Sequence, residues 1–217
     1  MPGDRPYVLL SAAMSADGYL DDASPERLIL STPGDLDRVR EVRAGCDAIL
    51  VGASTVRRDN PSLTAGESVR QPRRVTVTAT GDLDPASRFF TVGAGERLVY
   101  VASPAAQRAR ERLSGLATVV DAGSPVAWPT VLADLRGRGV VRLMVEGGGT
   151  VHTQLLTAGL ADELHLVVAP FFVGDPRAPR FVGPGVFPHG KDHRMRLADV
   201  SRIDDVVLLR YLLDGAE

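Results

Sequence analysis

Val141-Arg-Leu-Met-Val145-Glu146-Gly147-Gly148-Gly149-Thr150-Val-His-Thr-Gln-Leu155-Leu156 decides how the rest of this chain is read. A short apolar run leads to an acid, three glycines and a helical repeat starting near Thr150. That order is strand, tight turn, helix N-terminus. Bare glycine backbone lets a ligand's phosphate come close, and the free N–H groups and positive dipole end of the helix attract negative charge. Glu146 stands at the carboxyl end of the strand, where open α/β sheets hold ligands. Three glycines alone fit close helix–strand packing equally well. The stretch is a candidate for the phosphate-holding half of a nucleotide site, with Glu146 facing a second ligand.

Outward from this stretch, strands alternate with helices. Tyr7 to Ala13 reads as a first strand, followed by the Asp17-Gly18 turn and Tyr19. Thr32 caps a helix with Pro33 at its first position and Asp35 in its first turn, running to about Ala44 with Leu36, Val39 and Val42 as its apolar side. Arg43 falls within that stripe; it either snorkels to the surface or turns inward to meet an anion. Asp47 to Gly52 is a compact buried strand, and a polar loop or short helix from Ala53 to Thr64 leaves its carboxyl end, where function commonly sits. Strands follow at Pro72 to Thr78, ended by Thr80-Gly81, at Arg97 to Val101 and at Ala117 to Val120. Helices are expected at Pro104 to Leu113 and at Val126 to Leu135, the latter with Trp128, Val131, Leu132 and Leu135 inward. Gly159 ends the helix after the glycine turn. Asp162 to Pro170 is a long strand, Phe171 to Pro188 a Pro/Gly-rich excursion, and Met195 to Ile203 with Val206 to Leu212 an antiparallel hairpin. The expected fold is one α/β domain, 1–217, with a mixed, mostly parallel sheet.

Composition excludes several classes of function. The chain has 217 residues, 44% hydrophobic and 24% charged, the profile of an ordinary globular protein. A net charge of −2 leaves no footprint for nucleic acid or an anionic membrane surface. No run approaches the ~20 apolar residues of a membrane span, and Met1-Pro-Gly-Asp-Arg lacks the apolar core of a secretory leader. Cys46 is the sole cysteine, so no intrachain disulfide can form and a reducing cytoplasm is expected. Lys191 is the only lysine, which argues against Schiff-base chemistry.

Common cofactor and catalytic motifs fail on context. Gly93-Ala-Gly95 has half a dinucleotide fingerprint and precedes a strand rather than a helix. Lys191 is followed by Asp192, so there is no P-loop. The four histidines (His152, His165, His189, His193) have neither zinc-protease nor Cys/His spacing, and no metal is expected. His165 lies mid-strand and reads as a packed or hydrogen-bonded residue. No nucleophile elbow accompanies the serines.

Three separated motifs in order carry a resemblance. Asp47-Ala-Ile-Leu-Val-Gly52 with Thr55-Val, Asp59-Asn60-Pro61 and Leu63-Thr64, then Val145-Glu146-Gly-Gly-Gly-Thr150, then Gly159-Leu-Ala-Asp162-Glu163-Leu164 with Ala169-Pro170, resemble the reductase of riboflavin biosynthesis. That enzyme occurs alone or as the C-terminal part of a bifunctional deaminase–reductase, whose Cys/His zinc signature is missing here. The resemblance spans essentially the whole chain. It implies a dihydrofolate-reductase-like fold, NADPH as cofactor, a small-molecule substrate and usually a homodimer. The reaction it implies is hydride transfer to C1′ of the ribosylamino side chain of a phosphorylated pyrimidine. By the same resemblance Thr55, Asp59, Thr80, Gly147, Gly148, Gly149 and Thr150 contact the cofactor, and Arg43, Asn60, Leu63 and Glu146 the substrate. Asp59 and Glu146 are the catalytic candidates, Asp59 as an orienting group or proton relay near the nicotinamide.

The sequence departs from the family pattern at two places. Tyr19 stands where Lys or Arg usually follows the Asp-Gly turn, and Ala65-Gly66 stand where a short residue and then Arg usually help grip the substrate phosphate. A lost charge-assisted contact is worth roughly 1.5–3 kcal/mol. Either another arginine substitutes, with Arg27 and Arg70 as candidates, or the substrate lacks that phosphate. An alternative therefore keeps fold and cofactor but reduces a pterin, a dihydrofolate-like compound or a specialised-metabolite heterocycle. A third reading is a non-catalytic nucleotide-binding protein, against which Asp59, Glu146 and the glycine turn all argue.

Overall fold

Apolar runs with no polar face dictate the middle of the sheet. In the computed structural model, which describes residues 3–66 and 70–213, β2 (Ala48–Gly52) is buried along its whole length. β4 (Arg97–Val101) and β6 (Arg142–Val145) are buried at every position after their leading arginines. Strands of this kind need cover on both faces, the condition of parallel sheets. β3 (Arg73–Thr78) lies parallel to β2 and β4, and β5 (Thr118–Asp121) continues the parallel run beyond β4. β1 (Tyr7–Ser15) pairs in parallel with β7 (Glu163–Ala169). β8 (Arg196–Ile203) and β9 (Val206–Leu212) form an antiparallel hairpin, and β9 runs antiparallel to β7. The order of the nine described strands is β5-β4-β3-β2-β6-β1-β7-β9-β8, the mixed, mostly parallel sheet with a C-terminal hairpin expected from the sequence.

The helices are α1 (Pro33–Ala44), α2 (Ala53–Asp59), α3 (Arg88–Thr91), α4 (Ala106–Arg112), α5 (Trp128–Gly137) and α6 (Gly149–Thr157). Thr32 caps α1 through a hydrogen bond from Asp35 N to its Oγ1, 3.3 Å. Trp128, Val131, Leu132 and Leu135 of α5 are buried as their spacing requires. Two details differ from the sequence reading. The connection after Thr80 contains α3, and the helix expected from Pro104 begins as a 3-10 turn, Ser103–Ala105, before α4. Among the described residues no helix is long and apolar enough to cross a membrane.

The chain groups into two compact units, Met1–Tyr7 with Arg40–Met144 and Val8–Val39 with Val145–Glu217. The first is organised around a buried cation. Arg74 on β3 is 1% exposed, and its guanidinium donates to the carbonyls of Phe89 (2.9 Å), Gly93 (2.9 Å), Ala94 (3.2 Å) and Val92. Gly93 and Gly95, both with positive φ, thus bend the chain around an arginine rather than around a dinucleotide. Asp47 closes the start of β2 by accepting the N–H groups of Val141 (2.9 Å) and Arg142 (3.0 Å).

The second unit overturns the expected apolar side of α1. Leu36 is 42% exposed, whereas the neighbouring Asp35 is 1% exposed. The reason is a polar ladder that sets the helix's rotation. Asp35 pairs with Arg38 at 2.7 Å, and Arg38 Nη1 lies 3.4 Å from His165 Nδ1. His165 Nε2 is 2.8 Å from Glu163 Oε1, which also receives Arg210 Nη2 at 2.8 Å. Residues 163 and 165 share one face of β7, and Arg210 of β9 lies opposite His165 in register. Charge complementarity therefore turns Asp35 inward and leaves Leu36 outside. Asp35→Ala strands Arg38 and should cost about 3 kcal/mol, while Leu36→Ala should stay within about 0.5 kcal/mol. Urea unfolding of both variants checks this, and the reverse order of sizes would restore the apolar stripe.

Candidate active site

In the first unit the parallel pairing of β2 and β3 brings two carboxyl ends side by side, with Gly52 opposite Val77. α2 leaves β2 directly, so Thr55 occupies its first turn and Asp59 its last position, both half-buried. Thr80 follows β3 and is exposed; its Oγ1 accepts the N–H of Asp82 at 3.3 Å. Asn60 closes α2 in the left-handed conformation, and its Oδ1 accepts the N–H of Arg88 at 2.7 Å. Leu63 is also left-handed, at φ 53°, although it is a leucine only 2% exposed. That conformation costs about 1–2 kcal/mol and persists because neighbours hold the loop. Arg43 Nη1 donates to the carbonyl of Thr64 at 3.0 Å. Arg43 is half-buried, and this bond ties it to the loop that follows α2. Arg70, offered as a substitute phosphate contact, lies 3.7 Å from Asp47 at the amino end of β2, and Arg27 is exposed.

In the second unit Glu146 follows β6 and is half-buried, and Gly147 to Thr150 form the turn into α6. The peptide between Gly147 and Gly148 is cis. Gly147 has φ 107°, and a Cβ there would come within 2.9 Å of His152 Cε1. A Cβ on Gly149 would collide with the carbonyl oxygen of Arg180. The packing reading of the glycines thus holds at Gly149, and the turn is bare backbone at a helix N-terminus. The Asp17-Gly18 turn at the end of β1 is tied to the same place, because Phe181 N donates to Gly18 O at 3.0 Å and Gly183 N to Thr153 Oγ1 at 2.8 Å. Tyr19 is 4% exposed and carries the guanidinium of Arg180 over its ring, 4.4 Å from the centroid.

Beneath the glycine turn, His152 is completely buried and its ring packs on Phe181 with centroids 5.2 Å apart. Burial lowers its pKa from 6.5 to about 4, offset only in part by the backbone at Val145. Among the described residues neither ring nitrogen makes a hydrogen bond of full geometry, so the Val145 backbone acts only as a weak polar neighbour. The imidazole is thus neutral, and no positive charge from it adds to the helix N-terminus. Among the described residues, no group of three or more His, Cys, Asp or Glu side chains is arranged to hold a metal ion.

Residues 6–209 match the model of the RibD C-terminal domain. The chain belongs to that family. It is 34% identical over 216 residues to the 2,5-diamino-6-ribosylamino-4(3H)-pyrimidinone 5′-phosphate reductase of Methanothermobacter thermautotrophicus, covering 97% of this chain and 100% of the relative. It is 32% identical to the riboflavin biosynthesis protein RibD of Bacillus amyloliquefaciens, of which it spans 59%. The solved RibD of Acinetobacter baumannii has the same fold, with TM-score 0.82, 24% identity, 96% of this chain covered and 58% of that chain. Membership makes the chain an oxidoreductase of riboflavin-pathway type and implies a nicotinamide cofactor.

The motifs quoted from the sequence take in the residues that follow β2 and β6, but two features escape recognition. His152 sits one helical turn into α6 with no polar partner in sequence reach to announce it. Arg180 lies in an irregular segment, 161 positions from the ring it stacks on. A measurable consequence follows for His152. A folded-state pKa below the unfolded one means that the unfolded chain binds the extra proton between about pH 6.5 and 4, so stability falls as pH falls through that window. The loss should be on the order of 3 kcal/mol, and His152→Leu should flatten the slope in denaturant titrations at pH 7 and pH 4.5. An equally steep slope in the variant would remove His152 as its source.

Proposed function

We propose that this chain is an NADPH-dependent reductase that transfers hydride to C1′ of the ribosylamino side chain of a phosphorylated pyrimidine. The observation that carries the reading is the 34% identity along the full length of the archaeal pyrimidinone phosphate reductase. The residues that match the family model, 6–209, fall in both compact units, which supports reading 1–217 as a single reductase domain. The residues suit a dinucleotide: no side chain stands on the turn from Gly147 to Gly149, and a Cβ on Gly147 would meet the imidazole beneath it.

The bound nicotinamide supplies a hydride. C1′ receives it, the bond from C1′ to the ring oxygen of the sugar opens, and that oxygen takes a proton to become a hydroxyl. The protein's part is binding, orientation and exclusion of water. Gly147, Gly148, Gly149 and Thr150 hold a cofactor phosphate through backbone N–H groups at the α6 N-terminus. Thr55, Asp59 and Thr80 bind the cofactor from the carboxyl ends of β2 and β3, with Asp59 orienting the nicotinamide or relaying the proton. Arg43, Leu63 and Glu146 serve the substrate. Asn60 does so through its amide nitrogen, because its oxygen already accepts from Arg88. The enzyme works as a homodimer, supported by the exposed Leu197, Val200 and Val207 on the C-terminal hairpin; sedimentation at the mass of one chain would contradict this. Its single buried cysteine suits the cytoplasm.

The decisive assay is NADPH oxidation with the phosphorylated ribosylamino-pyrimidine. Turnover is expected, with NADPH preferred to NADH; activity on a pterin and none on the pyrimidine would sink the reading. Arg43→Ala should raise the KM for the phosphorylated substrate about tenfold or more, and an unchanged KM would remove Arg43 from the substrate side.

A further inference from the structure

Arg180 lies in the Pro/Gly-rich excursion, yet its main chain is held on both sides. Leu20 N donates to Pro179 O at 2.8 Å, Phe181 N donates to Gly18 O at 3.0 Å, and the Arg180 carbonyl sits where a Cβ on Gly149 would be. Its side chain is equally constrained. The guanidinium lies 4.4 Å over the buried Tyr19 ring, Nη2 donates to Tyr19 Oη at 2.8 Å, and Nη1 approaches the carbonyl of Asp17 at 3.4 Å. Stacking on an aromatic face and bonding its hydroxyl fix the cation without neutralising it.

No carboxylate neutralises it among the described residues. Asp17, whose carbonyl Arg180 approaches, has its carboxylate committed elsewhere: it accepts from Val173 N (3.1 Å), Gly174 N (2.8 Å) and Ser15 Oγ (2.5 Å). A guanidinium has five N–H donors in a planar fork that matches an oxyanion, and two of them are used here. Arg180 is exposed. An oriented, unneutralised cation therefore stands at the end of β1, against the first residue of α6, on the edge where α/β sheets bind ligands.

We propose that Arg180, positioned by Tyr19, binds a phosphate monoester of a ligand of this enzyme. The proposal rests on the reductase reading for which ligands are present, and two of them carry such a group: the 5′-phosphate of the pyrimidine substrate and the 2′-phosphate of NADPH. Tyr19 thereby returns a charge to the Asp17-Gly18 turn, where it stands in place of a basic residue. The alternative is that Arg180 only pins residues 179–183 to α6, and that role is indifferent to a ligand's phosphate.

Equilibrium dissociation constants decide between them without requiring turnover. They are measured for the pyrimidine with and without its 5′-phosphate, and for NADPH and NADH, in the parent, R180M and R180K. Loss of one charge-assisted contact predicts that R180M weakens one phosphorylated ligand about tenfold or more and leaves its unphosphorylated partner within about twofold. R180K, which keeps the charge, should recover most of the loss. The pair affected identifies the source of the phosphate. Y19F keeps the ring and loses only the hydroxyl contact, so it should weaken the same ligand about threefold, which tests the idea even if R180M folds poorly. Equal weakening of both members of each pair, or no change in any, overturns the proposal. A parent that binds the ligands and discriminates their phosphates but does not turn over would count against the reductase reading alone.

Discussion

Parallel strands cannot be joined by a tight turn, and that constraint organises this molecule. Each of β2 to β4 has to be followed by a crossover before the next can pair beside it. All of them then run the same way, so every crossover begins on the same edge. α2 with Thr55 and Asp59, and the turn with Thr80, start there for that reason alone. β1 and β7 obey the same rule in the second unit, where the Asp17-Gly18 turn leaves the end of β1. The candidate residues Thr55, Asp59, Thr80 and Glu146 thus follow strand ends, while β2 and β6 themselves bury only apolar side chains and glycine.

Burying a charge is costly unless its polar atoms are satisfied, and the protein meets that cost in two ways. Among the described residues Arg74 has no carboxylate partner and is held by backbone carbonyls, which ties β3 to the chain from Phe89 to Ala94. Asp35, Arg38, His165, Glu163 and Arg210 instead pair with one another, and their geometry fixes the rotation of α1. His152 represents a third situation, in which the ring is kept neutral by burial and serves as packing beneath the glycine turn.

The glycine turn shows how a weak local signal gains meaning from its surroundings. Three glycines were consistent with packing or with a phosphate, and the structure assigns a packing demand to Gly149 while leaving bare backbone from Gly147 onward. Arg43, which its helix position leaves between surface and interior, is tied by a hydrogen bond to Thr64 O to the loop carrying Asn60 and Leu63. Arg180 was not ambiguous but invisible, because nothing near it in the chain distinguishes it from any exposed arginine.

Patterns within one element were legible from the amino acids alone. Apolar runs gave the buried parallel strands, cap residues gave the start of α1, and the order of three motifs gave the family, since each depends on neighbours within a few residues. Tertiary structure alone decided which face of α1 is buried, that Gly93 and Gly95 wrap an arginine, and that Tyr19 holds Arg180. In each of these the deciding partner is remote in sequence: His165 for Arg38, Phe89 to Ala94 for Arg74, and Arg180 for Tyr19. Periodicity reports how a residue relates to its own helix or strand, and it carries no information about which distant charge or ring the fold will bring against it.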